Sequence, residues 1–170
     1  MNKGKVLLAT SALLLSAGVL AACSGGKSGS SGDQTFSYVY TQDPDTLDYS
    51  ISNKKSTSEF TGNAIDGLLE VDKYGNLIPS LAKDWTVSKD GLTYTYKLRK
   101  DAKWYTSEGE EYAEVKAQDF VTGLKYAADK KSEALYLVQD SVAGLDDYIN
   151  GKTTDFSTVG VKAIDDQTVQ

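Results

Sequence analysis

Read only for apolar and polar positions, the chain changes texture twice. Val6 to Leu20 carries no charge and is dominated by Leu, Ala and Val, while residues 24–32 hold only Ser, Gly and Lys27. From Phe36 onward apolar residues recur with strand and helix periods. Phe36-Ser-Tyr-Val-Tyr40 alternates and predicts a strand, broken by Asp43-Pro44-Asp45. Ser56-x-x-Glu59 has the spacing of a capping box, and Phe60, Ala64, Ile65, Leu68 and Leu69 then fall on one helical face. Val71 to Ile78 predicts two short strands around a turn at Gly75.

The clearest alternation follows. Tyr94, Tyr96 and Leu98 interleave with Thr93, Thr95 and Lys97 behind Asp90-Gly91, which predicts a hairpin running from Asp84 to Arg99. Ala117, Phe120, Val121, Leu124, Ala127 and Ala128 mark an amphipathic helix. Short helices are expected at residues 134–138 and at 145–150, the latter stopped by Gly151. Val159 to Ile164 predicts a strand and Asp165-Asp166 a turn. Thr168-Val169-Gln170 begins another strand with nothing to close its sheet, which suggests a truncated protein; the alternative is a short edge strand at the terminus. Residues 36–170 thus read as a mixed α/β domain with enough chain for a core of its own.

The first two stretches make sense together as an export signal. Lys3 and Lys5 precede the apolar run, which is shorter than the roughly 20 residues a spanning helix needs. Leu20-Ala21-Ala22-Cys23 resembles a lipobox, whose small residues admit a signal peptidase and whose thiol accepts a diacylglyceryl chain. The expected division is therefore a signal peptide at 1–22, a lipidated Cys23 with a flexible Gly/Ser tether at 23–35, and the folded domain at 36–170. This places the domain on the outer face of a membrane. Removing residues 1–22 takes away Lys3 and Lys5 and no acid, so the formal charge moves from −6 to −8. An acidic surface argues against nucleic acid as a partner.

Composition narrows the chemistry further. The chain has no histidine and Cys23 is its single cysteine, which excludes Ser-His-Asp and Cys-His sites, a His/Cys metal site and a disulfide within these residues. Carboxylate pairs remain at Asp43/Asp45, Glu110/Glu111, Asp146/Asp147 and Asp165/Asp166, each at an expected turn or helix surface where solvation explains it. Tyr38, Tyr40, Tyr94 and Tyr96 alternate along expected strands, where packing explains them better than ligand contact; Trp85 and Trp104 are also expected to pack.

Several strings, taken in order, carry a family likeness. Leu81-Ala-Lys-Asp-Trp85 followed by Asp90-Gly-Leu-Thr-Tyr-Thr-Tyr-Lys-Leu-Arg-Lys-Asp-Ala-Lys-Trp104 closely resembles the signature of bacterial solute-binding protein family 5, the extracellular oligopeptide-binding lipoproteins of peptide ABC importers. Asp43-Pro-Asp-Thr-Leu-Asp48, Asp66-Gly-Leu-Leu69, Ala117-Gln-Asp-Phe-Val121 and Gly160-Val-Lys-Ala-Ile-Asp-Asp166 agree with it. The loop from Trp104 to Lys116 is longer than the family's usual Ser-Asp-Gly connection and looks like its streptococcal type.

The resemblance implies the amino-terminal part of a two-lobed type II periplasmic-binding-protein-like fold, with the second lobe absent. It implies capture of oligopeptides for importer permease subunits, with no cofactor and no catalysis. For ligand contact it points to Asn53, Lys54 and Lys55, whose counterparts pair backbone groups with the peptide, and to Tyr136, near a family tyrosine that touches ligand. Two rivals stand beside this reading: a surface adhesin or signalling lipoprotein reusing the fold, and a secreted hydrolase with its catalytic residues downstream.

Overall fold

The tyrosine-rich hairpin is the frame on which the rest is hung. In the computed structural model, which describes residues 37–170, β3 (Ala82–Val87) and β4 (Tyr94–Leu98) pair antiparallel from Val87↔Tyr94 to Ala82↔Leu98. Ser88 N donates to Thr93 O and Gly91 N to Ser88 O, so Lys89 to Leu92 form a four-residue loop. Only Gly91 in it takes a positive φ, +73°, and the Asp90 carboxylate fixes the loop by accepting from Leu92 N and Ser88 Oγ. Alternation along β4 buries Leu98 and half-buries Tyr96, while Lys97 reaches the opposite face to donate to Thr168 Oγ1 at 2.7 Å.

The chain divides between Val39 and Tyr40, and the fold is that of residues 40–170. Helix α1 (Lys55–Thr61) is followed by the hairpin of β1 (Leu69–Val71) and β2 (Leu77–Pro79), which turns at Gly75 as expected. Leu81 N and Ala82 N donate to Gly67 O and Leu68 O, so the chain entering β1 is tied to the start of β3. A second small hairpin, β5 (Lys103–Tyr105) with β6 (Glu111–Glu114), accounts for the long loop before α2 (Ala117–Asp129). The Asp119 carboxylate caps α2 by accepting from Lys116 N and also takes the Trp104 indole N–H, both at 2.9 Å. Then come a single 3₁₀ turn at Leu135–Leu137, α3 (Leu145–Ile149), a second 3₁₀ turn at Phe156–Thr158, β7 (Ala163–Asp165) and β8 (Thr168–Val169). The main sheet has the order β3-β4-β8-β7.

Several expectations change. Residues 37–40 form no strand, and Phe36 lies outside the described residues. No described strand offers this segment a ladder, and Tyr40 stacks on Phe60 instead, ring centroids 3.9 Å apart. The capping box does not form, because α1 starts one residue before Ser56, with Lys54 as an extended N-cap. Glu59 pairs with Lys55 one turn back, Nζ to Oε1 3.0 Å. The helix stops at Thr61, its buried residue is Thr57, and Leu69 pairs with Pro79 in a strand. Residues 134–138 make only a 3₁₀ turn, and the strand expected from Val159 begins at Ala163 because Val159 and Gly160 turn inward against Phe156 and Ala143. The final strand is not open. The reversal at residues 165–167 inserts β8 between β4 and β7, antiparallel to both.

Candidate functional site

The segment before α1 is fastened to the rest of the domain by hydroxyl and carboxylate groups. Ser52 is buried; Thr57 Oγ1 donates its one proton to Thr46 O at 2.9 Å and accepts from Ser52 Oγ at 3.3 Å. Ser52 Oγ in turn accepts from Lys54 N at 3.2 Å. Asp48 works at longer range: its backbone carbonyl accepts from Ile51 N and Ser52 N, and its carboxylate takes the Tyr126 hydroxyl of α2 at 2.8 Å. That carboxylate holds the Tyr126 hydroxyl above the usual phenol range.

A second set of bonds joins this segment to the one carrying Tyr136. Glu133 N donates to Ile51 O at 2.8 Å and Ser132 Oγ to the same carbonyl at 3.2 Å. Asn53 N donates to Glu133 Oε2 and Asn53 Nδ2 to Glu133 O, both at 3.3 Å. Residues 51–53 and 132–133 thus run against each other as a short bracket, and the 3₁₀ turn bearing Tyr136 begins two residues later. Tyr136 is 63% exposed.

Asn53 and the Tyr136 turn are brought together; the two lysines are not directed with them. The Lys54 ammonium pairs with Asp45, which raises it above the usual lysine range, and Lys55 Nζ pairs with Glu59. What the arrangement offers is backbone and amide chemistry at Asn53, an aromatic ring at Tyr136, and an exposed Glu133 carboxylate that already occupies the Asn53 N–H. Ser132, Glu133 and Asp48 were missed by sequence reasoning. Asp48 lies inside a string that carried the family likeness, whereas Glu133 has no local signal because its partners stand 80 residues away.

The carboxylate pairs are mostly engaged at the surface. Lys152 Nζ lies 2.6 Å from Asp147 and 4.0 Å from Asp146, Lys116 pairs with Asp166, and Lys103 with Glu111. Asp165 accepts from Gln167 N and Thr168 Oγ1. No group of three or more His, Cys, Asp or Glu among the described residues is placed to hold a metal ion. No described helix is long and apolar enough to cross a membrane, and Cys23 lies outside the described residues. An open concavity of about 1050 Å³ lies between the sheet and the 139–147 region; none of Asn53, Lys54, Lys55 and Tyr136 lines it.

Residues 76–170 match the family described as bacterial extracellular solute-binding proteins, family 5 Middle. The chain belongs to that family. Over its whole length it is 68% identical to the oligopeptide-binding protein SarA of Streptococcus gordonii, of which it covers 26%. Among solved structures it is similar to the substrate-binding domain of an oligopeptide ABC transporter from Bacillus anthracis, with a TM-score of 0.68 and 34% identity over 78% of this chain and 24% of that one. Haemophilus influenzae OppA in complex with RPPGFSPFR gives a TM-score of 0.64 and 32% identity, covering 75% of this chain and 24% of the other. The family 5 chain described here therefore spans about a quarter of the length of the relatives it matches.

Proposed function

We propose that this chain is the amino-terminal part of a lipid-anchored receptor on the outer face of the cell membrane, which captures oligopeptides and delivers them to an ABC importer. The observation that carries the reading is the 68% identity, over the entire chain, with a protein named for oligopeptide binding. In this reading residues 1–22 direct export, Cys23 takes the lipid, residues 24–35 tether the domain, and residues 36–170 supply part of one lobe. The protein catalyses nothing. Binding energy goes into capture and lobe closure, and hydrolysis of ATP belongs to the transporter.

The bracket between residues 51–53 and 132–133 forms one wall of the peptide site. A peptide carbonyl replaces the Glu133 carboxylate at Asn53 N–H, a backbone contact that ignores side-chain identity and so admits many sequences. Tyr136 covers apolar side chains with its ring and orients the ligand with its hydroxyl. Lys54 and Lys55 shape this wall without charging it: their ammonium groups are held by Asp45 and Glu59, and the Lys54 backbone is held by Ser52 and Ser58.

Calorimetry with a pool of short peptides tests the reading. The full-length protein binds tightly with weak sequence selectivity, and residues 24–170 bind at about millimolar or weaker, because one wall gives half the contacts and cannot close. Micromolar binding by residues 24–170 would overturn the half-site account, and no binding by the full-length protein would overturn the receptor. Cys23→Ala releases the protein into the medium or leaves an uncleaved precursor; a processed mutant that stays with membranes would rule out the anchor.

A further inference from the structure

The chain reaches Glu133 through a strained turn. Helix α2 ends in two bonds, Lys131 N to Ala128 O and Ser132 N to Ala127 O, and Lys131 takes a φ of +54°. It is the one non-glycine residue at positive φ among the described residues, a conformation that costs an L side chain backbone energy. The turn aims the next two residues at the segment before α1. Ser132 is buried and donates to Ile51 O, and Glu133 N donates to the same carbonyl at 2.8 Å. The Glu133 side chain is therefore rooted at a fixed point beside Asn53 although it is exposed to solvent.

The charges around it leave that carboxylate uncompensated. Asp45, and more weakly Glu133, hold the Lys54 ammonium above the usual lysine range, but its ion pair goes to Asp45. Lys55 pairs with Glu59. Lys130 lies over the Tyr126 ring, 5.9 Å from its centroid, and that tyrosine's hydroxyl serves Asp48. No described lysine or arginine forms an ion pair with Glu133, Lys131 included. The bond the carboxylate does accept, from Asn53 N at 3.3 Å, is long for one made by an ionised group and is easily displaced.

We propose, on the reading of the chain as part of a peptide receptor, that Glu133 makes the site prefer peptides with a cationic side chain, Lys or Arg, beside the residue whose carbonyl takes the Asn53 N–H. Once that carbonyl arrives, the carboxylate has lost its amide partner and stands next to the ligand. An ammonium or guanidinium there restores a charge-assisted bond that an apolar or acidic side chain cannot give. Backbone pairing ignores side chains, so one fixed charge adds selectivity at one position and leaves the others permissive.

The test uses the full-length protein and short Ala-rich peptides with a single Lys placed at each position in turn. Calorimetry compares each with its norleucine counterpart, which keeps the alkyl stem and lacks the charge. Wild type favours Lys at one or two adjacent positions by about fivefold, and the preference shrinks as salt rises from about 0.05 to 0.5 M. Glu133→Gln keeps an acceptor for Asn53 N–H, so it binds norleucine peptides as wild type does and loses the Lys preference; Glu133→Asp retains part of it. A Lys preference that survives in Glu133→Gln, or no preference at any position in wild type, overturns the proposal and leaves the receptor reading standing. Equal weakening of both peptide series by Glu133→Gln also overturns it, since the side chain then only holds the bracket together. Failure of the wild-type protein to bind any peptide of either series overturns the receptor reading and this proposal with it.

Discussion

The helical corner and the main sheet close their apolar faces in different ways. Leu135, Leu145 and Val159 are brought together by nearby chain: Gly160 N donates to Ala143 O at 2.7 Å, and Tyr148 meets Phe156 edge-on with centroids 5.0 Å apart. Leu98, Ala117 and Val169 come instead from distant parts of the sequence, and their side of the sheet ends in exposed Tyr94. The comparison teaches that a corner built from short-range turns finishes its own packing. A strand edge leaves its apolar face open where no partner supplies matching backbone groups.

The largest expected effect lies in the corner. Leu145 is fully buried, so Leu145→Ala costs about 3 kcal/mol, whereas Val169→Ala costs about 1 kcal/mol because fewer carbons are lost and the adjoining concavity lets neighbours relax. Urea titration of both variants measures this, and equal losses would erase the distinction between closed and open clusters. Next come two glycines with the same φ of +73°. A Cβ at Gly144 stands 2.7 Å from Thr158 O, so Gly144→Ala costs about 2 to 3 kcal/mol, while nothing lies within 4 Å of a Cβ at Gly91. Gly91→Val pays only for backbone conformation, about 1 kcal/mol, and an unchanged melting temperature would contradict the turn.

A smaller effect separates the site segment from both. Tyr126→Phe removes the hydroxyl that α2 gives to Asp48 and costs about 1 kcal/mol or less at an exposed contact. It also speeds hydrogen exchange at Ile51 and Ser52, whose amides bond to the Asp48 carbonyl; uniform loosening across the domain would argue against a local tie. The smallest concerns acid. Lys125 and Tyr148 hold Asp129 below the usual carboxylate range in the corner, and Thr168 and Gln167 do the same for Asp165 in the sheet. A depressed folded pKa adds stability that is present above the ordinary carboxylate value and lost as pH falls through the depressed one. Melting curves from about pH 6 down to about pH 3 therefore show a modest decline, weaker in Asp129→Asn and in Asp165→Asn.

Local pattern made some elements legible and misread others for identifiable reasons. The β3–β4 hairpin and α2 followed their alternation and their 3.6-residue period, because each carries its own partners close in sequence. Residues 37–40 alternate just as clearly and form no strand, since alternation specifies a face and supplies no ladder. Ser56 and Glu59 had the spacing of a cap, yet Lys54 took that position once Ser52 accepted its N–H. Of the candidate contacts, Asn53 and Tyr136 came into one neighbourhood through Glu133, which no periodicity marks. The paired lysines showed that charge in a loop does not by itself make a charged site.

By itself the sequence determined the turns where glycine alone relieves positive φ, the amphipathic α2, the family likeness and the absence of histidine chemistry. Those features depend on residue type and short spacing, which a linear string contains. Only the tertiary structure decided that β8 runs between β4 and β7, that Glu133 bridges to Asn53, and that the interior stays in two clusters. Each depends on backbone donors and acceptors meeting across long stretches of chain. The direction in which those groups point is fixed by register, and register exists only once the strands have paired.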